Sequence, residues 1–355
     1  MINLNIRLKM KKEQRDKYDQ TYGIFKFKVP LPKELESAMG LTGESTQFKK
    51  MIMSNYDKFY DTISPPEEGD WLMTHKEYGQ TYQEYIRSGC VQVDQNRDTI
   101  YIAPLPFNQN RIMDKDFITN IFLLCEAYFY GMKIRPIEIE RSFNTVEAKQ
   151  YDNGKVQINA EQFLSCLSQE LPPDAFCLVG IIDTDLYSES MTKEGKVIHR
   201  NCSSMKDISK RTTILSITKY DPLVNMDQSK TISKEKKMKL AMFILKRVCK
   251  AVTKEICHMF GMKNCTFFSC NMNGTGSLSE FDSKPFELCP ICLRKLISNI
   301  NCKGEDITKT RIKNAYAVYD RFVKIRDVLQ ENFYGFFDNE ISWLNARIDS
   351  LKDEI

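Results

Sequence analysis

The stretch KEICHMFGMKNC, residues 254–265, decides how this chain is read. It carries a carboxylate at Glu255, an imidazole at His258, a chain-turning glycine at Gly261 and a thiol at Cys265. Upstream of it, Leu240, Phe243, Ile244, Val248, Val252, Ile256 and Met259 recur every three or four residues. That period predicts one long helix from about 233 to 260 with a single buried face. Downstream, Cys265 opens a second pattern, in which Cys265, Cys270, Cys289 and Cys292 make C-x4-C-x18-C-x2-C.

Two cysteine pairs at short spacing, separated by a loop, suit a tetrahedral four-thiolate zinc site, because each pair grips the metal without straining the backbone. CPIC at 289–292 adds the proline-containing turn of such knuckles. A closed four-cysteine site leaves no coordination position for substrate, so the expected cofactor is one structural Zn2+.

Further out, DTIYIAPL at 98–105 and MKIRPIEIE at 132–140 read as strands flanking an apolar helix at 117–132, and AEQFLSCLSQEL at 160–171 has helical spacing. AFCLVGIIDTDLY at 175–187 is the unbroken apolar run of a buried central strand, and ILSITKYDP at 214–222 reads as another strand. GIFKFKVPL at 23–31 alternates like a short strand, whereas 188–213 is polar and irregular and reads as a loop. Helices alternating with strands argue an α+β fold with α/β-like character. Near the end, Val318, Phe322, Ile325 and Leu329 mark a further amphipathic helix. Phe337, Ile341, Leu344, Ile348, Leu351 and Ile355 make a short seam of coiled-coil spacing, too brief to choose between an internal and an external partner.

A chain of 355 residues with 42% hydrophobic side chains can build a substantial core. Its net charge of +4, from 51 Lys/Arg and 47 Asp/Glu, does not describe a nucleic-acid binder. Charge is uneven: residues 1–33 hold nine basic side chains against three acidic, 225–265 ten against three, and the last 25 two against six. Protein partners are therefore expected, with an acidic surface met through the basic segments. The start, MINLNIRLKMKK, lacks the continuous apolar run of an export signal, and ITNIFLLCEAYFYGM at 118–132 is too short to span a membrane. No membrane association is expected. A reducing cytoplasmic setting is, with residence in a cytoskeletal or other large assembly as an option, and twelve cysteines then read as free thiols and metal ligands.

Taken together, Glu255, His258, Gly261, Cys265, Cys270, Met272, Cys289 and Cys292 resemble the archaemetzincins, whose signature is H-E-x2-H-x2-G-x2-H-C-x4-C-x-M followed by C-x2-C. KRVCKAV, LCPICLRKL, AFCLVGIIDTDLY and DWLMTHKEYGQTYQEY also resemble segments of that family. The resemblance implies a metzincin-like mixed sheet beside a long active-site-type helix, with a four-cysteine zinc knuckle. It implies an archaemetzincin-like domain at 56–302, a basic N-terminal extension at 1–55 and a C-terminal helical extension at 303–355. In the family three histidines hold a catalytic zinc, the glutamate beside the first activates the metal-bound water, and the methionine underlies the site.

Here the first ligand position is Lys254 and the third is Asn264. A lysine ammonium has no lone pair and repels a dication, and an amide oxygen is a poor zinc ligand. Glu255 and His258 are thus vestigial, no catalytic residue is expected, and the chain reads as an inactive relative kept as a structural or interaction component. Two alternatives stand beside that reading. One is a peptidase with atypical ligands, for which His75 and His199, the other two histidines of the chain, are the candidates. The other is a module that holds peptide in the old cleft without cutting it. Cys257 and Cys249 offer no nucleophile, since Cys257 and His258, adjacent on a helix, point about 100° apart.

Overall fold

The computed structural model describes residues 27–105, 113–139, 143, 146–150, 155–192, 195–221, 233–304, 316–333 and 335–354. Its first helices are α1 (Pro32–Met39), α2 (Thr46–Met53), α3 (Tyr56–Phe59), α4 (Trp71–Thr74) and α5 (Tyr82–Arg87), followed by β1 (Thr99–Leu105), α6 (Lys115–Tyr128) and β2 (Lys133–Pro136). Then come β3 (Ala148–Gln150), β4 (Val156–Asn159), α7 (Ala160–Leu167), β5 (Ala175–Ile182), β6 (Asp185–Met191), β7 (Val197–Cys202), β8 (Ser204–Asp207) and β9 (Thr212–Ser216). The chain ends in α8 (Lys234–Met259), α9 (Leu278–Ser283), α10 (Pro290–Cys302), α11 (Ala317–Asn332) and α12 (Asp338–Lys352).

Five strands form one sheet in the order β2-β1-β5-β9-β8, and four form a smaller sheet in the order β3-β4-β6-β7. In the larger sheet β2, β1, β5 and β9 are parallel, while β8 pairs antiparallel with β9 and forms an edge. All eight residues of β5 are buried because both faces of the sheet are covered. Cys177, Val179 and Ile181 enter the main core with α8 and α6, whereas Leu178 and Ile182 enter a second cluster with α7. The helix α8 packs on β5, β9 and β8, so its C-terminal half lies against the antiparallel edge. This is the expected α+β architecture: a mixed sheet, a long helix carrying the motif, the cysteine cluster, and helices after it.

Three expectations change. The run 175–187 is two strands, since the chain breaks at Asp183 and Thr184 and crosses into the smaller sheet. The stretch 188–213 is not a loop: it completes β6, makes β7 and β8, and enters β9. Both β7, mostly exposed, and β8, mostly half-buried, are edge strands, so their sequences lack apolar alternation. The turn between β8 and β9 also hides its signature, because its left-handed residue is Arg211 (φ 55°) where glycine or asparagine is usual. Finally, residues 27–31 form no strand; 23–26 lie outside the described residues, as do most of the basic N-terminal segment, the connection 222–232 and Ile355.

The first and last described helices are built into the same core. Leu344, Ile348 and Leu351 of α12 are buried with Val318, Phe322, Ile325 and Leu329 of α11, so the C-terminal seam finds its partner inside the chain. Two buried arginines hold the N-terminal helices by their carbonyl ends. Arg294 of α10 donates to the Met39 carbonyl and pairs with Glu44 at 2.8 Å. Arg347 of α12 donates to the carbonyls of Met51 (3.0 Å), Ile52 (3.3 Å) and Ser54. A cation at the last turn of a helix satisfies carbonyls that have no partner within it.

Candidate functional site

Cys265 follows the end of α8, Cys270 lies in the turn before Met272, and Cys289 and Cys292 open α10, where Pro290 takes the first helical position. All four are buried, and their sulfurs lie within 4.8 Å of one another. Cys265 and Cys289 are 3.7 Å apart, Sγ to Sγ; thiolates about 2.3 Å from a tetrahedral zinc ion stand roughly 3.8 Å from each other. The amides of Met272 (3.4 Å) and Cys289 (3.3 Å) donate to the Cys270 sulfur. Hydrogen bonds from the other three sulfurs push Cys265 well below the usual thiol range, while burial pushes Cys289 up and the neighbouring sulfurs push Cys292 up. Four buried thiols cannot all ionise side by side without a cation, and a zinc ion supplies that charge. Geometry and chemistry both fit one structural zinc. Met272 is fully buried in the same turn, its carbonyl accepting from the Cys265 amide at 2.8 Å.

The helix α8 ends where the motif turns. Gly261 has φ 84°, and a Cβ there would meet Cys90 Cα at 3.3 Å, so both conformation and space demand glycine. The turn brings the Met262 carbonyl to His258 Nδ1 at 2.7 Å, which makes Nδ1 the protonated nitrogen. Burial, with Lys206 nearby, drives the His258 pKa down to about 3, so the imidazole is neutral.

Glu255 is committed elsewhere. Its carboxylate accepts from Ser204 Oγ at 2.8 Å and from Lys206 Nζ at 3.1 Å, both on β8. Burial works to raise its pKa, but the Lys206 charge, His258 and the Ser204 hydroxyl outweigh it and hold the group below the usual carboxylate value. Lys254 points its ammonium at the Asn273 carbonyl, and burial lowers its pKa to about 8. With Lys246 and Lys250 it forms a row at four-residue spacing: Lys246 reaches Glu340 and Lys250 the carbonyls of Phe281 and Lys284. The row pins the knuckle segment and α12 to the long helix. Asn264 donates to Glu77 Oε1 at 2.8 Å, so the third ligand position is also occupied by an internal contact.

The profile described as Peptidase family M54 matches residues 222–298. Archaemetzincin-2 of Rattus norvegicus is 29% identical over 274 residues, 72% of this chain and 75% of that protein. Archaemetzincin-2 of Homo sapiens is 28% identical over 67% of this chain and 69% of its own length. By sequence the chain is similar to the archaemetzincins. Archaemetzincin from Archaeoglobus fulgidus, solved as a malonate complex, superposes with a TM-score of 0.37 at 20% identity, covering 56% of this chain and 99% of that one. The assignment rests on the sequence matches.

The substitute ligands for a catalytic zinc are poorly placed. His75 is exposed and stacked on Trp71, ring centroids 3.3 Å apart, and His199 lies in the smaller sheet, 3.3 Å from Glu189. Among the described residues, the four cysteines are the group that brings three or more potential ligand atoms together. Cys249 and Cys257 are buried, with pKa values pushed up by burial. Sequence reasoning missed Ser204, Lys206 and Glu77. The first two sat in the supposed loop; for Glu77 no local signal exists, since its partner is 187 residues away.

No helix among the described residues is long and apolar enough to cross a membrane, and the twelve cysteines are unpaired.

Proposed function

We propose that this chain is a non-hydrolytic archaemetzincin, retaining the structural zinc of its fold and serving as a structural or interaction component. The observation that carries the reading is the state of Glu255. Where the family has a general base beside a metal-bound water, this carboxylate is closed into an ion pair with Lys206 and a hydrogen bond with Ser204. A base neutralised by an adjacent ammonium, with a second ammonium at the first ligand position, has no metal-bound water to activate. His258 remains as a neutral imidazole, one ligand of the three that a catalytic zinc needs.

Metal content and hydrolysis test this together. The full-length chain, purified without added chelator, is expected to hold one zinc per molecule by elemental analysis and to leave a mixed peptide library uncut. Two zinc ions per chain with zinc-dependent cleavage would replace this reading by the second one, a peptidase with atypical ligands.

A further inference from the structure

Segment 59–61, the stretch 282–287 before Cys289, and α12 enclose a cavity of about 350 Å3 whose lining includes neither Glu255 nor His258. Phe59, Phe286 and Trp343 supply aromatic surface, the Phe59 and Trp343 rings standing edge to face at 6.1 Å. Asp61, Asp282, Glu287 and Glu340 supply four carboxylates, against one basic residue, Lys284. Three of the carboxylates have internal partners: Arg247 for Asp282, Lys246 for Glu340 at 2.7 Å, and Arg321 for Glu287 Oε2 at 2.8 Å.

Two acceptors are left over. The Asp61 carboxylate has no partner among the described residues. Glu287 is 6% exposed, yet its Oε1 accepts no hydrogen bond. A buried carboxylate oxygen without a donor is costly, and Asp61 is exposed and open to a donor entering the cavity. A metal ion does not fit, since outside the four cysteines no three potential ligand groups converge among the described residues. Aromatic faces beside carboxylates favour an organic cation, and a planar guanidinium offers both a stacking face and several donors, where a lysine ammonium offers a single point.

We propose that this cavity receives the guanidinium of an arginine on a partner peptide. α12 contributes Asn339, Glu340 and Trp343, so the site exists only because the C-terminal helix folds back onto the knuckle. It supplies an interaction surface for the proposed non-hydrolytic role, but stands or falls independently of whether the chain cuts peptides. Lys284 lines the same cavity and is its one basic residue.

The test is fluorescence polarisation of a fluorescein-labelled Gly-Ala-Arg-Ala-Gly peptide against the full chain, beside the same peptide with citrulline, the neutral isostere, and with lysine. The expected result is saturable binding of the arginine peptide near ~0.1 mM, with the citrulline and lysine peptides ~10-fold weaker. Asp61→Asn should weaken binding several-fold without affecting folding, because Asp61 has no internal partner. Lys284→Ala should tighten it. Glu287→Gln should weaken it too, but removes half of a buried pair and counts only if its melting is unchanged. No saturation below ~1 mM, equal binding of the citrulline peptide, or indifference to both Asp61→Asn and Lys284→Ala would overturn the proposal. Equal binding of the lysine peptide would overturn the guanidinium, and equal competition by free arginine amide would overturn the peptide as its source.

Discussion

Replacing Glu255 by Gln separates a catalytic carboxylate from a structural one. A general base is held in place for chemistry, and its neutral isostere abolishes turnover while costing the fold little. Here the isostere should cost stability. Glu255 is 7% exposed and accepts from both Ser204 and Lys206. Gln keeps one acceptor for Ser204 and loses the charge-assisted bond to Lys206, an interaction worth about 1.5–3 kcal/mol when buried. The Lys206 side chain is 33% exposed and can regain water, so the lower end applies, about 1.5 kcal/mol. For a chain of this length that is a fall in Tm of about 2 °C. Lys206→Met should cost a similar amount, and the double variant less than the sum, with a coupling of about 1 kcal/mol. The sign of the pH dependence follows from the lowered pKa. Stability from the pair is fully present above the ordinary glutamate value and is lost as pH falls through the lower folded value. The deficit of Glu255→Gln should therefore be constant from about pH 6 to 8 and shrink under acid. Scanning calorimetry of the four proteins measures it; a variant as stable as the parent, or a coupling near zero, would refute the assignment of Glu255 to the β8 edge.

Cys289→Ser should release the zinc and destabilise 262–300, on the order of 10 kcal/mol of local folding energy being tied to such a site; full metal content after substitution would contradict the four-cysteine assignment. Lys254→His with Asn264→His should rebuild three nitrogen ligands with His258 and raise zinc from one to two per chain, neither change sufficing alone. The structure adds a cost, since the pair of changes removes the hold on the Asn273 carbonyl and the bond to Glu77, and a double variant with one zinc would show that these contacts had filled the cavity. Deletion of 336–355 should unfold more than the tail: it exposes Val318, Phe322 and Leu329 and leaves the carbonyl end of α2 without Arg347, so proteolysis is expected to advance into both α11 and the first sixty residues. A truncated chain as resistant as the parent would mean the tail is only appended.

β3, β4, β7 and β8 were not legible in the sequence, whereas the long amphipathic helix, the buried run of β5, the four-cysteine cluster and the departure of positions 254 and 264 from the family's histidines were. Each rests on short-range physics: a 3.6-residue period, pairs of thiols that grip one metal, side chains that lack a lone pair. What Lys254 and Glu255 contact in this fold was not legible. Lys254 reads as an ion that repels zinc, and only the fold shows it fastened to Asn273 within a row of three lysines. Ser204 and Lys206 are polar residues in a polar stretch until β8 forms, and β8 forms because β9 offers it an edge, through a turn whose left-handed residue is an arginine. The same holds for the chain ends, where two basic side chains, Arg294 and Arg347, became buried caps for helices some 250 to 300 residues away in sequence. Partners so distant leave no periodicity, because the chain between them is free to vary; it is the packing of one core that brings them within a hydrogen bond.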